Sequence, residues 1–130
     1  MKEIPKSEWS EHYEGLTEKA LNRVPKLREF DPAYVERMDW IFWYDKVDLG
    51  GFCTPGTYNM NDYLKFYPMP EDLSGKTAIE LGAAEGFFSF EMEKRGAKVV
   101  VVDLFDSAIE HMEFLKKLFG YKTESFNWIS

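Results

Sequence analysis

Hydrophobic positions follow two regimes along the chain. Up to about residue 68 they recur at helical intervals or gather as aromatic clusters; beyond Gly75 they form short unbroken runs between glycine turns. Trp9, Tyr13, Leu16, Ala20 and Val24 share one face of a helix that starts with Ser7 as N-cap and ends at Pro25. Asp31-Pro32 opens a second helix, a capping side chain followed by proline in the first helical position. Tyr34, Val35, Met38, Ile41 and Phe42 carry its apolar stripe, and the run 40–47 fits helix or extended chain equally well. Gly50-Gly51 and Pro55-Gly56 mark turns.

The pattern changes between Pro68 and Gly75. Thr77–Leu81 is short, apolar and bounded by turns, the mark of a buried strand. Glu85–Arg95 reads as a helix stopped by Gly96, with Lys94 and Arg95 favourably placed in its last turn. Its Phe87, Phe88, Phe90 and Met92 make no single stripe, as suits a helix packed on a sheet with its N-terminus in a site. Lys98–Asp103 contains four consecutive valines, the signature of a strand buried on both faces. Ser107 and Glu110 fit a capping box, Ala108, Met112, Leu115 and Phe119 share the face of the helix that follows, and Gly120 closes it. Residues 122–129 fit a third strand. Strand, helix, strand over about thirty residues is a βαβ unit, which requires a parallel sheet and a right-handed crossover. The expected class is α/β, with residues 1–70 as an aromatic-rich helical cap segment and 71–130 as the sheet-bearing part.

Composition narrows the function. A chain of 130 residues that is 45% hydrophobic and 30% charged suits one folded unit. The net charge of −7 argues against a stand-alone binder of phosphate backbones. One cysteine, Cys53, excludes an internal disulfide and fits a reducing, cytoplasmic location. No stretch resembles a secretory signal, and no apolar run approaches the ~20 residues of a membrane helix. His12 and His111 lie on expected helices without partner ligands in register, so both read as solvated or packed and no metal site is expected. Glu91, Glu93 and Lys94 read as a solvated helix face.

The chemistry concentrates in Glu80-Leu81-Gly82-Ala83-Ala84-Glu85-Gly86, between an expected strand and an expected helix. Gly82 allows a tight exit from the strand, and Gly86 allows the helix to begin close to a ligand. The N–H groups and partial positive charge of the helix end favour an anionic group such as a carboxylate or phosphate. Asp103 ends the next strand, where its two oxygens can accept from both hydroxyls of a ribose. The G-x-G-x-x-G of dinucleotide enzymes is absent, since Ala84 and Phe87 stand where it needs glycine.

The acid-x-Gly-x-x-x-Gly spacing resembles the first motif of class I S-adenosylmethionine-dependent methyltransferases. The resemblance implies a Rossmann-like parallel sheet and S-adenosylmethionine as cofactor. It places Glu80 near the methionine amino group, directly or through water, and the backbone of Gly82, Ala83, Ala84 and Gly86 against the methionyl part. It gives Asp103 the ribose and sets Leu104 beside adenine. Ala84 stands where many members carry a middle glycine, and its methyl group is tolerated if the local dihedrals are ordinary. Asp72-Leu73-Ser74-Gly75-Lys76 is similar to the lead-in of many such enzymes. Trp43-Tyr44 through Asp48-Leu49-Gly50 to Thr54-Pro55-Gly56 is similar to a segment preceding the domain in one subgroup. That subgroup includes the tRNA wobble-uridine carboxymethyl-transferring enzymes and small-molecule and sugar methyltransferases.

The implied fold has about seven strands, and this sequence supplies two or three. The first would keep an open apolar edge, which leads to three expectations: a piece of a longer protein, pairing with another copy or partner chain, or incomplete folding. The expected function is that of a methyltransferase or its cofactor-binding part, with a small-molecule or sugar acceptor favoured over RNA and no catalytic residue named. The alternative is a non-catalytic binding or assembly module using the open edge. A nucleotide-binding oxidoreductase ranks third.

Overall fold

The computed structural model describes residues 16–40, 43–54 and 56–128. Ser7, Trp9, His12, Tyr13, Ile41, Phe42, Pro55 and Ile129 lie outside them. In chain order the elements are α1 (Leu16–Arg23), a 3-10 turn (Pro25–Glu29), α2 (Pro32–Trp40), α3 (Asn61–Leu64), β1 (Thr77–Leu81), α4 (Phe87–Lys94), β2 (Lys98–Asp103), α5 (Asp106–Phe119) and β3 (Glu124–Asn127). The strands form one parallel sheet in the order β1-β2-β3. With α4 and α5 as the connections, this is the open α/β, Rossmann-like arrangement expected from the sequence, with β1 at one margin.

The element boundaries follow local chemistry. Pro25 stands first in the 3-10 turn, where its missing N–H costs nothing, so it opens a turn as well as following α1. Asp31 Oδ1 accepts from the Ala33 N–H at 2.8 Å ahead of α2. Helix α4 begins at Phe87 rather than Glu85 because Gly86 adopts φ +82, outside helical geometry. The capping box expected at Ser107 and Glu110 is not made: the N-cap of α5 is Phe105, two residues before Ser107 and without a side-chain cap bond, and Glu110 pairs with Arg37 instead. Gly120, at φ +77, closes α5 as expected.

Helix α5 carries two buried faces. Ala108, Met112 and Leu115 of the expected face are buried, while its fourth member, Phe119, is 37% exposed; His111, Phe114 and Leu118 form a second face. Phe114 meets Phe30, Tyr34 and Trp43 at ring-centroid separations of 5.5, 6.0 and 6.4 Å. Lys26 Nζ donates to the Leu118 carbonyl at 2.6 Å, placing a cation at the negative end of α5. One cluster of buried residues therefore runs from Ala20 and Leu27 through α5 to Val99 and Val101 of the sheet. Glu93, partly exposed, is more than a solvated residue: its carboxylate accepts from the Lys122 N–H and the Thr123 hydroxyl, tying α4 to the approach to β3.

The two faces of the sheet differ. Val99, Val101 and Asp103 are buried beneath the helices. On the opposite face the register aligns Ile79 with Val100, and Leu81 with Val102 and Phe126. Ile79 is 67% exposed, Leu81 72% and Phe126 53%. Among the described residues β1 pairs on one side only, so the open edge and a bare apolar face adjoin.

Phe114 fixes the helical segment to the sheet-bearing part. Phe114→Ala is expected to cost about 3–5 kcal/mol, the usual range for emptying a buried phenylalanine site. Urea unfolding of the variant against the parent measures it.

Candidate functional site

A cavity of about 840 Å³ opens at the C-terminal ends of β1 and β2. This is where open parallel sheets hold ligands. Its walls are Leu81, Gly82, Ala84 and Glu85 from the turn after β1, Val102 to Phe105 from the end of β2, Ser107 and Ala108 from α5, and Tyr44 and Trp128 from outlying segments. Two carboxylates and no lysine or arginine stand among them.

The glycine turn and the β2 acid meet. The Ala84 N–H donates to Asp103 Oδ2 at 3.1 Å, and the Phe105 N–H to Asp103 Oδ1 at 2.9 Å. Each oxygen keeps further lone-pair capacity for a ligand. Gly82, at φ +68, faces open space where a side chain would be, so the backbone is bare to the cavity. Gly86 serves packing rather than the cavity: a Cβ there would lie 2.7 Å from Met112 Cε. Ala83 is buried, and neither residue is among the cavity walls. Leu104, with Phe105 and Trp128, presents an exposed apolar margin.

Ala84 departs from what the sequence suggests. Its φ of +48 is left-handed, so the dihedrals are not ordinary and the methyl group is strained. Glu80 also stands apart from the cavity. Its Oε1 accepts from the Ser89 hydroxyl at 2.6 Å beneath the turn. Burial raises its pKa, the Ser89 hydrogen bonds oppose that, and the Asp103 charge adds to the rise.

Behind the turn lies a buried cluster that sequence reasoning missed. Glu85 Oε1 accepts from the Tyr44 N–H at 2.7 Å, and Oε2 from the Asp45 N–H at 2.9 Å. His111 Nδ1 stands 3.3 Å from Glu85 Oε1, and its Nε2 3.1 Å from the Met38 carbonyl. Both neighbours are acceptors, so only the doubly protonated ring donates at both ends. Trp43 stacks on that ring at 3.6 Å and donates its indole N–H to the same carbonyl. His111 thus belongs to the packed alternative of the sequence reading, with defined partners. The missed signal was register: His111 lies three residues before Phe114, on a second apolar face of α5.

Asp45 completes the cluster. It is 4% exposed, and its Oδ1 has no hydrogen-bond partner. Burial, then the neighbouring Glu85, push its pKa up from 3.8 to about 7. Burial also acts to raise Glu85, but the hydrogen bonds from His111, Tyr44 and Asp45 outweigh it and leave that carboxyl below its usual range. The proton of the acid pair therefore resides on Asp45. Among the described residues no group of three or more metal-ligating side chains occurs, and no helix is long and apolar enough to cross a membrane.

No family model and no curated protein matches the chain. Among solved structures, it is similar over 42% of its length to a "putative RNA methyltransferase" from Pyrococcus horikoshii, at 27% identity and a TM-score of 0.39. The chain spans 28% of that protein.

Two stability predictions follow from the turn and the acid pair. Ala84→Gly relieves the left-handed alanine and should raise stability by about 0.5–1 kcal/mol in urea unfolding, the relief slightly exceeding the entropic cost of glycine. For Asp45, the unfolded carboxyl loses its proton near 3.8 while the folded one holds it to about 7. Between those values the native state binds the extra proton, so this group's contribution falls as pH rises and levels off above about 7. Asp45→Asn should make stability decline less steeply across that window, as read by urea unfolding in steps from pH 4 to pH 8.

Proposed function

We propose that the chain is an S-adenosylmethionine-dependent methyltransferase, or the cofactor-binding part of one. The supporting observation is the hydrogen bond that joins the Ala84 amide to Asp103, bringing the two halves of the motif onto one cavity. Gly82 and Ala84 would lie along the methionyl part, with Ala83 and Gly86 shaping the turn behind them. Asp103 would accept the ribose hydroxyls through its remaining lone pairs. Leu104, Phe105 and Trp128 offer apolar surface to adenine. Glu80, held by Ser89, would act on the amino group through its charge or an intervening water.

The cofactor supplies a methyl group already activated on a sulfonium, so the protein has mainly to align donor and acceptor and exclude water. Asp103 is the carboxylate that faces the cavity, and with no lysine or arginine among the walls it favours a positively charged ligand over an anionic one. The same charge balance supports a small-molecule or sugar acceptor over RNA. The loop from Trp43 to Gly56, similar to the segment preceding the domain in the wobble-uridine and sugar methyltransferase subgroup, supports placement there.

A second reading draws on the bare edge and face of β1: a non-catalytic module that self-associates through them. Sedimentation velocity separates it, since a monomer at every concentration removes self-association. For the leading reading, isothermal titration with S-adenosylhomocysteine should give saturable heat, and Asp103→Ala should weaken binding at least about tenfold, the loss of a charged hydrogen-bond acceptor. A folded sample that gives no heat, or an Asp103→Ala variant that binds as the parent does, overturns it.

A further inference from the structure

The segment from Trp43 to Tyr58 crosses the back of the glycine turn as a strap. Its own hydrogen bonds shape it: Thr57 and Tyr58 N–H groups donate to the Tyr44 carbonyl, and the Lys46 N–H to the Tyr58 carbonyl. A Cβ on Gly56 would collide with the Asp45 carbonyl, so the two limbs lie in direct backbone contact. Among the described residues Glu85 hydrogen-bonds the strap to the turn, its two oxygens taking the successive N–H groups of Tyr44 and Asp45. Tyr44, 48% exposed and in ring contact with Tyr58 at 4.9 Å, then becomes a wall of the cavity at the end where the glycine turn lies.

We propose that Glu85 is a positioning residue that clasps the strap to the glycine turn and so sets Tyr44 as the wall beside the methionyl end of a bound S-adenosylmethionine. The assignment of that ligand rests on the function proposed above; the clasp itself does not. Glu85 is suited to this work because its carboxylate is spent on backbone. Two N–H groups and His111 occupy it, and the residue is 2% exposed. Its effect on a ligand is therefore exerted through Tyr44, not through its own charge. His111, held between Trp43 and the Met38 carbonyl, fixes the carboxylate from the α5 side.

A double-mutant cycle on the full chain tests this, using Glu85→Gln, Tyr44→Ala and both together. The glutamine keeps the shape but turns an amide donor toward one of the two N–H groups. Amide hydrogen exchange at Tyr44 and Asp45 should quicken roughly tenfold or more in Glu85→Gln. Titration with S-adenosylhomocysteine should show each single variant about tenfold weaker, and the double variant no weaker than Tyr44→Ala alone. Unchanged exchange overturns the clasp. Additive losses overturn action through Tyr44, as does a Tyr44→Ala variant that binds like the parent, a result that stands even if Glu85→Gln does not fold. If the parent binds no S-adenosylhomocysteine but exchange quickens in Glu85→Gln, the clasp holds and the methyltransferase reading falls.

Discussion

The arrangement depends on one buried carboxylate. Glu85 sits in the turn after β1, within the segment that shapes the cavity, yet its oxygens face away toward Tyr44, Asp45 and His111. A carboxylate that is nearly fully buried costs several kcal/mol unless its lone pairs are filled. Here they are filled by groups from two other parts of the chain, so burial is tolerable only when strap, turn and α5 are all in place. This makes the site cooperative with the fold. Removing the strap would take away two of the three partners that fill the Glu85 carboxylate.

Asp45 follows from the same constraint. A second carboxyl beside Glu85 in a dry environment cannot also ionise without repulsion, so it keeps its proton toward neutrality. His111 lies against Glu85 on one side, and on the other Asp45 keeps its proton, so a second negative charge is not placed beside Glu85. Hydrogen bonds to Glu85 and the proton retained on Asp45, not solvent, let these groups lie together behind a cavity whose front already carries Asp103.

The positions of the strands and most of the sheet-covering face of α5 were legible because they rest on periodicity and on local turn residues, although β1, expected to be buried, leaves Ile79 and Leu81 exposed. Thr77–Leu81 and Lys98–Asp103 have the boundaries their sequence suggests, and Gly86 and Gly120 stop or start helices through positive φ. The contacts of Glu85, Asp45 and His111 were not legible, because each depends on partners 26 to 73 positions away that no local pattern reveals. The Ser107–Glu110 capping box illustrates the opposite error. The local pattern was present, but Arg37, remote in sequence, offered Glu110 a bidentate ion pair at 2.7–2.8 Å. Ala84 shows a third limit: the sequence records the residue but not its dihedral, and only the dihedral shows that the alanine is strained.

The cavity and the bare face of the sheet are physically one surface. Leu81 and Val102 line the cavity and also belong to the uncovered row that continues into Phe126. Binding sites gain most of their affinity by enclosing a ligand within apolar walls, and here one such wall is exposed to solvent. Covering that row would remove apolar area from water and at the same stroke deepen the cavity, so the two gains are coupled. The strap already performs this service at the turn end, where Tyr44 stands. Trp128, 70% exposed, follows β3, and its N–H donates to the Asp103 carbonyl. Enclosure by the strap is therefore tied to the glycine turn through Glu85, while the margin at Leu104 and Trp128 stays exposed.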